Sequence, residues 1–299
     1  MLEIILDIVK VIILSVVEGI TEFLPISSTG HLILVNQFIG LKPQEFSNAF
    51  MVVIQLGAIL AVVAIYFEKL NPFGKSKLKY GKYPNAIEEM HGYKKIVNKV
   101  YYWFNNNKTV SLWMKIIVAA IPAAVLGLLF DDYIDSLLFY PIPVGIALIV
   151  YGIIIIIMEK RNEQLDSFKT NDVFNVSYQT ALFIGFFQVL AMWPGTSRSA
   201  ATIIGAMILG LNRKSAADFS FFLAIPTMFG ATLLKLIKIS GLTLTQWSLI
   251  SLGVVLSFYV AYVVIKKFLS YIQKHDFKVF GYYRVVLGIV VLLYFLVIK

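Results

Sequence analysis

Apolar residues run through this chain in long blocks, and polar residues interrupt the blocks in two different ways. Residues 2–23 read as one helix that ends or kinks before Pro25, because a proline ring clashes with the preceding turn. After the polar run SSTGH, residues 31–39 resume as a short apolar segment, residues 40–48 form a polar turn, and residues 49–67 make a full span with one interior amide, Gln55. Residues 68–112 form a long polar loop with nine lysines against three acids, and residues 86–104 within it have the pattern of an amphipathic interfacial helix. Residues 115–130 span next. Residues 131–143 carry three aspartates and no basic residue, and 144–158 span back to a mixed-charge loop containing Lys160, Arg161 and Lys169.

The second half has the same layout. Residues 178–193 are apolar and stop at Pro194; the break PGTSRS follows, then a short apolar piece, 199–211. Spans are predicted over 219–236, 249–265 and 285–298, with Lys266, Lys267, Lys274, Lys278 and Arg284 filling the last polar loop. Aligning Pro25-Ile26-Ser27-Ser28 with Pro194-Gly195-Thr196-Ser197 puts a short helix and three spans after each break. The expectation is one membrane domain, 1–299, built from a first repeat, 1–160, and a second, 178–299.

Composition supports the membrane reading. The 299 residues are 59% hydrophobic and 14% charged, where soluble domains carry nearer a quarter charged residues. The mean hydropathy is +0.81. Runs of this length imply an all-α polytopic protein, since barrel strands are short and alternating. Glu3, Asp7 and Lys10, without a small-residue cleavage site, argue against a cleavable signal. Zero cysteines exclude disulfides and thiolate chemistry. The net charge of +9 does not point to nucleic acid, because the basic residues sit between spans, where they follow the positive-inside rule and favour anionic headgroups.

Charge also sets an orientation. With the lysine-rich loop 68–112 in the cytoplasm, the acidic loop 131–143 lies outside and the loops 159–177 and 266–284 lie inside. Both of the latter are cytoplasmic only if 178–212 enters and leaves on one face, as a re-entrant hairpin. The same count makes 1–40 a hairpin from the outside. The prediction is six full spans plus two opposed re-entrant hairpins in an inverted-topology repeat, with both termini outside. Lys235 and Lys238, near an outside end, fit it least well.

The two breaks hold the candidate chemistry. Glu18 and Glu22 share a helix face one turn apart, so one is protonated or both face a cation or an arginine. Ser27, Ser28, Thr29 and Gly30 either satisfy backbone groups freed by Pro25 or present hydroxyls for chemistry. His31 lies within a turn of both serines, the spacing of an activated nucleophile. Arg198 is the sharpest signal, because a guanidinium at membrane depth needs an acid or an anionic ligand. Its place between Ser197 and Ser199 at a helix start suits a phosphate, and a pair with Glu18 or Glu22 suits a resting state. Gln55, Gln188 and Thr202 are lesser polar candidates, and His91 and His275 fall in polar loops.

The segments EGITEFLPISSTGH (Glu18 to His31) and PGTSRSAAT (Pro194 to Thr202), with FSFFLAIP (Phe219 to Pro226), resemble the signature segments of the undecaprenyl-diphosphate phosphatase family, also associated with bacitracin resistance. The resemblance covers nearly the whole chain. Its departures are Ala200, where a glycine is common, and the longer basic loop. It implies an enzyme of the bacterial plasma membrane that removes the terminal phosphate of a polyprenyl diphosphate, recycling the lipid carrier for cell-wall synthesis. It also implies inverted repeats, a site open to the outer face, and Mg²⁺ or Ca²⁺ as cofactor.

By the same resemblance, Ser28 is the favoured nucleophile, with Ser27 as neighbour or substitute and water or His31 itself as the alternative attacking groups. His31 is the general base or acid, and Arg198 the diphosphate clamp, helped by Ser197, Ser199 and Thr202. Thr29 belongs to the same phosphate-binding run, and Glu18 and Glu22 hold the metal or orient and protonate the site. Membrane lipids and a second copy of the chain, in a homodimer, complete the expected partners. A different lipid-phosphatase family needs a second histidine after its serine–arginine pair, and residues 200–212 contain none. The rival from another class is a transporter or flippase of a phosphorylated polyprenyl lipid, since opposed broken helices are also a transporter plan.

Overall fold

The computed structural model describes residues 2–73, 84–138, 140–163, 168–239 and 241–298, and among these the regular structure is helical. Residues 74–83 and 164–167, parts of two of the predicted loops, lie outside the described residues.

The N-terminal helix α1 (Leu2–Thr21) gives way to the turn 22–27, and α2 (Ser28–Ile39) follows. The long helix α3 (Gln44–Ile65) is the first candidate span. It begins four residues into what the sequence marked as a polar turn, with a one-residue interruption at Ile54 between its two halves. The basic insert contains a short turn, Asn85–Glu88, and then α4 (Gly92–Asn106). The predicted interfacial helix is therefore shorter and starts at Gly92.

Helix α5 (Lys108–Leu138) runs well past the expected span, so the first part of the acidic stretch is helical. It is followed by α6 (Pro141–Asn162), α7 (Tyr178–Val189) with a 3₁₀ turn after it, and α8 (Arg198–Ile208). Helices α9 (Arg213–Lys238), α10 (Leu244–Ile272) and α11 (Lys278–Leu293) complete the chain, the last extended by a π turn to Ile298. Among the described residues, six stretches are long and apolar enough to cross a membrane: Gln44–Ile65, Lys108–Phe130, Pro141–Asn162, Arg213–Lys238, Leu244–Ile272 and Lys278–Val297. These correspond one to one to the six spans expected from the sequence.

The helices pack in a pattern that exchanges partners between the halves. Helix α1 lies along α10, and α7 along α5; α1 packs on α2, and α7 on α8; α6 and α11 form the most extensive pair. Two glycines allow the closest approaches. A Cβ on Gly57 would fall 2.1 Å from the carbonyl oxygen of Val254, and one on Gly185 would fall 2.2 Å from that of Ala119. The largest apolar cluster, which includes Phe23, Phe219, Phe221 and Phe222, surrounds the point where the two polar breaks meet.

Both breaks end in the same local structure. Ser27 (φ 75°) and Ser197 (φ 71°) adopt the left-handed region that side chains other than glycine rarely occupy. Each is an N-cap whose hydroxyl accepts from the backbone N–H three residues on, Gly30 for Ser27 and Ala200 for Ser197. Ser28, Thr29 and Gly30 therefore belong to the first turn of α2 and not to an irregular break. In backbone terms Ser27 corresponds to Ser197, one residue out of the register read from the prolines.

Candidate active site

The cap serines put the first residues of α2 and α8 beside one carboxylate. Glu22, buried in the turn after α1, accepts from the Ser28 hydroxyl through Oε2 at 2.5 Å and from the Arg198 guanidinium through Oε1 at 3.1 Å. Of the two arginine pairings open in the sequence, the one to Glu22 is formed. Arg198 also donates to the carbonyl of Ser220 at 3.0 Å and lies over the Phe23 ring. A second link joins the turns where Ser199 Oγ donates to the carbonyl of Leu24 at 3.0 Å, with Ser197 Oγ 3.0 Å from Ser199 Oγ. Thr202 donates to the carbonyl of Arg198 and lies 2.6 Å from the Ser220 hydroxyl. Thr29 is half-buried in the first turn of α2 and joins none of these links.

Glu18 is fully buried one turn before Glu22, and neither of its carboxylate oxygens has a hydrogen-bond partner among the described residues. A carboxylate in that setting needs a proton or a cation. The described residues contain no cluster of three or more histidine, aspartate or glutamate groups suited to a metal. Two carboxylates with waters and substrate phosphate oxygens are nevertheless a usual way to hold Mg²⁺. The free oxygens of Glu18 thus fit a hard cation.

His31 takes a different place from the one its spacing suggested. Its Nδ1 lies 2.7 Å from the backbone carbonyl of Ser27, and its Nε2 lies 2.7 Å from the hydroxyl of Tyr283, whose ring stacks on it. The ring therefore meets the main chain of Ser27 and not a serine hydroxyl, because helix geometry sets it over the preceding turn. A carbonyl only accepts, so Nδ1 carries the proton, and in the neutral ring Nε2 accepts from Tyr283. The group on the Ser28 hydroxyl is Glu22. Of the remaining candidates, Gln188 is buried with its amide unpartnered among the described residues, and His91 and His275 are exposed away from the site.

Arg284 is the residue that sequence reasoning misplaced. The sequence put it in a polar loop; the structure puts it in α11 with no exposed surface. One guanidinium nitrogen donates to the carbonyl of Pro25 at 3.1 Å and the other to that of Gly195 at 2.7 Å, so one side chain ties the two turns together. The predicted span 285–298 is too short for the ~20 residues a bilayer core requires. That shortfall is the signal that the helix starts earlier and takes in Tyr283 and Arg284.

A buried carboxylate flanked by a hydroxyl, a guanidinium and two helix N-termini, inside six candidate spans, defines a polytopic membrane protein equipped to bind and transfer a phosphoryl group. Comparison with known proteins makes the class specific. Residues 11–290 match the model of the family described as bacitracin resistance protein BacA, and the chain belongs to that family. It is 53% identical over 293 residues to undecaprenyl-diphosphatase 1 of Clostridioides difficile, covering 97% of both chains. It is 49% identical over 291 residues to the undecaprenyl-diphosphatase of Enterococcus faecalis, covering 96% of this chain and 97% of the relative. With that of Acetivibrio thermocellus it shares 48% identity over 298 residues, 98% of this chain and 100% of the relative.

Proposed function

We infer that this protein is an undecaprenyl-diphosphatase, a bacitracin-resistance phosphatase of the bacterial cell membrane whose substrate is undecaprenyl diphosphate. Near-full-length identity to enzymes of that name supports the activity. The observation that carries the chemistry is the Ser28–Glu22–Arg198 chain of hydrogen bonds, assembled from both halves of the molecule.

In the proposed reaction Ser28 Oγ attacks the terminal phosphorus while Glu22, 2.5 Å away, takes its proton. The Oγ–P bond forms, the anhydride P–O bond breaks, and undecaprenyl monophosphate leaves. Water then attacks the phosphoserine: its O–P bond forms as the Oγ–P bond breaks, the proton held by Glu22 returns to Ser28 Oγ, and inorganic phosphate leaves. Arg198 leaves its resting pair with Glu22 to stabilise the equatorial oxygens, and the N–H groups at the starts of α2 and α8 assist it. Ser27, Ser197, Ser199 and Thr202 hold the turns in this shape. His31, its orientation set by Ser27 and Tyr283, takes a proton from the attacking water through Nε2 and afterwards releases it to solvent. Glu18, with the Glu22 oxygen that Arg198 vacates, would hold Mg²⁺ or Ca²⁺, which would supply further positive charge to the phosphate.

The exchange of packing partners between α1–α10 and α7–α5, and the twin serine caps, support an inverted repeat with two opposed hairpins. The resemblance to the family supports a site reached from the outer face, the side on which the diphosphate carrier is released. The test uses purified protein in detergent with undecaprenyl diphosphate and added Mg²⁺ or Ca²⁺. Phosphate release that is lost in folded Ser28→Ala, Glu22→Gln and Arg198→Ala variants is expected. Lipid movement across vesicles without phosphate release would favour the flippase instead.

A further inference from the structure

Helix α4 is built inside out for a helix bathed in water. Tyr93, Ile96, Val97, Val100, Tyr101 and Phe104 follow the i, i+3, i+4 spacing of one helix face, and that face points outward, each residue between 49% and 73% exposed. The opposite face carries Lys95, Asn98, Lys99 and Tyr102, and these are the half-covered residues. Lys95 and Lys99 pair there with Glu88 at 3.7 and 2.9 Å. A surface helix in water would present these two faces the other way round.

The depth of the helix is fixed by its neighbours. A single residue, Asn107, separates α4 from α5; it is buried, and its amide donates to the carbonyl of Pro72 while its oxygen caps Thr109 and Val110. Trp103 stacks on Phe73 with ring centroids 5.6 Å apart, and Trp113 donates to the carbonyl of Leu70. These contacts hold the end of α4 against residues 70–73, one short turn beyond the end of α3, and against the start of α5, so that it lies where two candidate membrane spans end. Helix α4 therefore leaves the protein at the edge of the hydrocarbon layer. The exposed Lys94 and Lys108 lie beside the apolar face and at the junction with α5.

We propose that α4 is an in-plane membrane anchor: its apolar face inserts into the leaflet at that edge, and its flanking lysines contact anionic lipid headgroups. Apolar area plus basic residues at headgroup level is the composition that binds such a surface. The inference does not depend on the phosphatase reading, since α4 supplies no residue to the site.

The chain contains no cysteine, so single cysteines can be read without background. Full-length His91→Cys, Ile96→Cys and Val100→Cys proteins are reconstituted in phosphatidylcholine vesicles with or without phosphatidylglycerol, and a water-soluble maleimide is added. Ile96→Cys and Val100→Cys should label at least about tenfold more slowly than the exposed His91→Cys, because lifting a valine-sized side chain out of lipid costs more than a tenfold ratio. Removing phosphatidylglycerol, or adding Lys94→Gln, should narrow that gap, with phosphate release unchanged. Equal labelling at all three positions would overturn the insertion. Protection lost when the protein is diluted into excess lipid would assign the face to a second copy of the chain. A gap indifferent to phosphatidylglycerol would overturn the headgroup contact.

Discussion

Arg284 offers the most informative perturbation, because it touches both halves of the site and lies outside the chemistry. Its guanidinium donates at 3.1 Å to Pro25 and at 2.7 Å to Gly195, and it forms no ion pair with a carboxylate among the described residues. Arg284→Met keeps a similar shape but leaves two buried carbonyls unpaired, at about 1–3 kcal/mol each. Removing a buried charge returns part of that cost, so a net loss of roughly 2–4 kcal/mol is expected. The larger effect should be on rate. The two turns carry Ser28 and Arg198, and a displacement of ~1 Å between reacting groups costs on the order of a hundredfold. The assay is phosphate release from undecaprenyl diphosphate at saturating and limiting substrate, beside thermal unfolding in the same detergent. The expected result is a lowered melting temperature and a kcat reduced about a hundredfold below the melting transition. A variant that melts early but keeps wild-type kcat while folded would refute the idea that Arg284 sets the spacing of the turns.

Other perturbations separate positioning from packing. Tyr283→Phe removes the hydroxyl on His31 Nε2 and should lower kcat by about tenfold with little change in melting, read from a pH–rate profile that shifts where His31 titrates. Glu159 is buried and accepts from Arg213 at 2.5 and 3.1 Å and from the backbone N–H of Phe277 at 3.0 Å. Glu159→Ala should cost about 2–3 kcal/mol by unpairing the partly exposed Arg213 and the buried N–H of Phe277, seen as a lower melting temperature with near-normal turnover in the folded fraction. Gly57→Ala should force α3 and α10 apart, since its Cβ would lie 2.1 Å from the Val254 carbonyl, and yield of folded protein in detergent measures it.

Much of the architecture could be read from the chain because the bilayer is a harsh solvent. A stretch of ~20 apolar residues has few alternatives to crossing it, and an ionisable group within one needs a partner. That is why the six spans and the pairing of Arg198 with a glutamate were legible. Segment ends were less so. Gln44 begins α3 inside a stretch that looked like a turn, and α5 continues through the start of the acidic stretch to Leu138. Polar composition marks where a helix leaves the hydrocarbon, not where its hydrogen bonds stop.

By itself, the sequence determined the membrane class, the number of spans, the two polar breaks and the residue types gathered in them. Tertiary structure decided which of those residues meet. Glu18 and Glu22 have the same local credentials, yet Glu22 takes both Ser28 and Arg198 while Glu18 is left without a partner among the described residues. His31 follows Ser28 by three positions, yet its ring goes to a carbonyl and to Tyr283, which is 252 residues away. Arg284, which looked like a loop charge, joins Pro25 to Gly195. The physical reason is common to all three. Hydrophobic length is a local property, written residue by residue, whereas hydrogen-bond partners in a site made from two distant turns are chosen by packing between helices that no local pattern encodes.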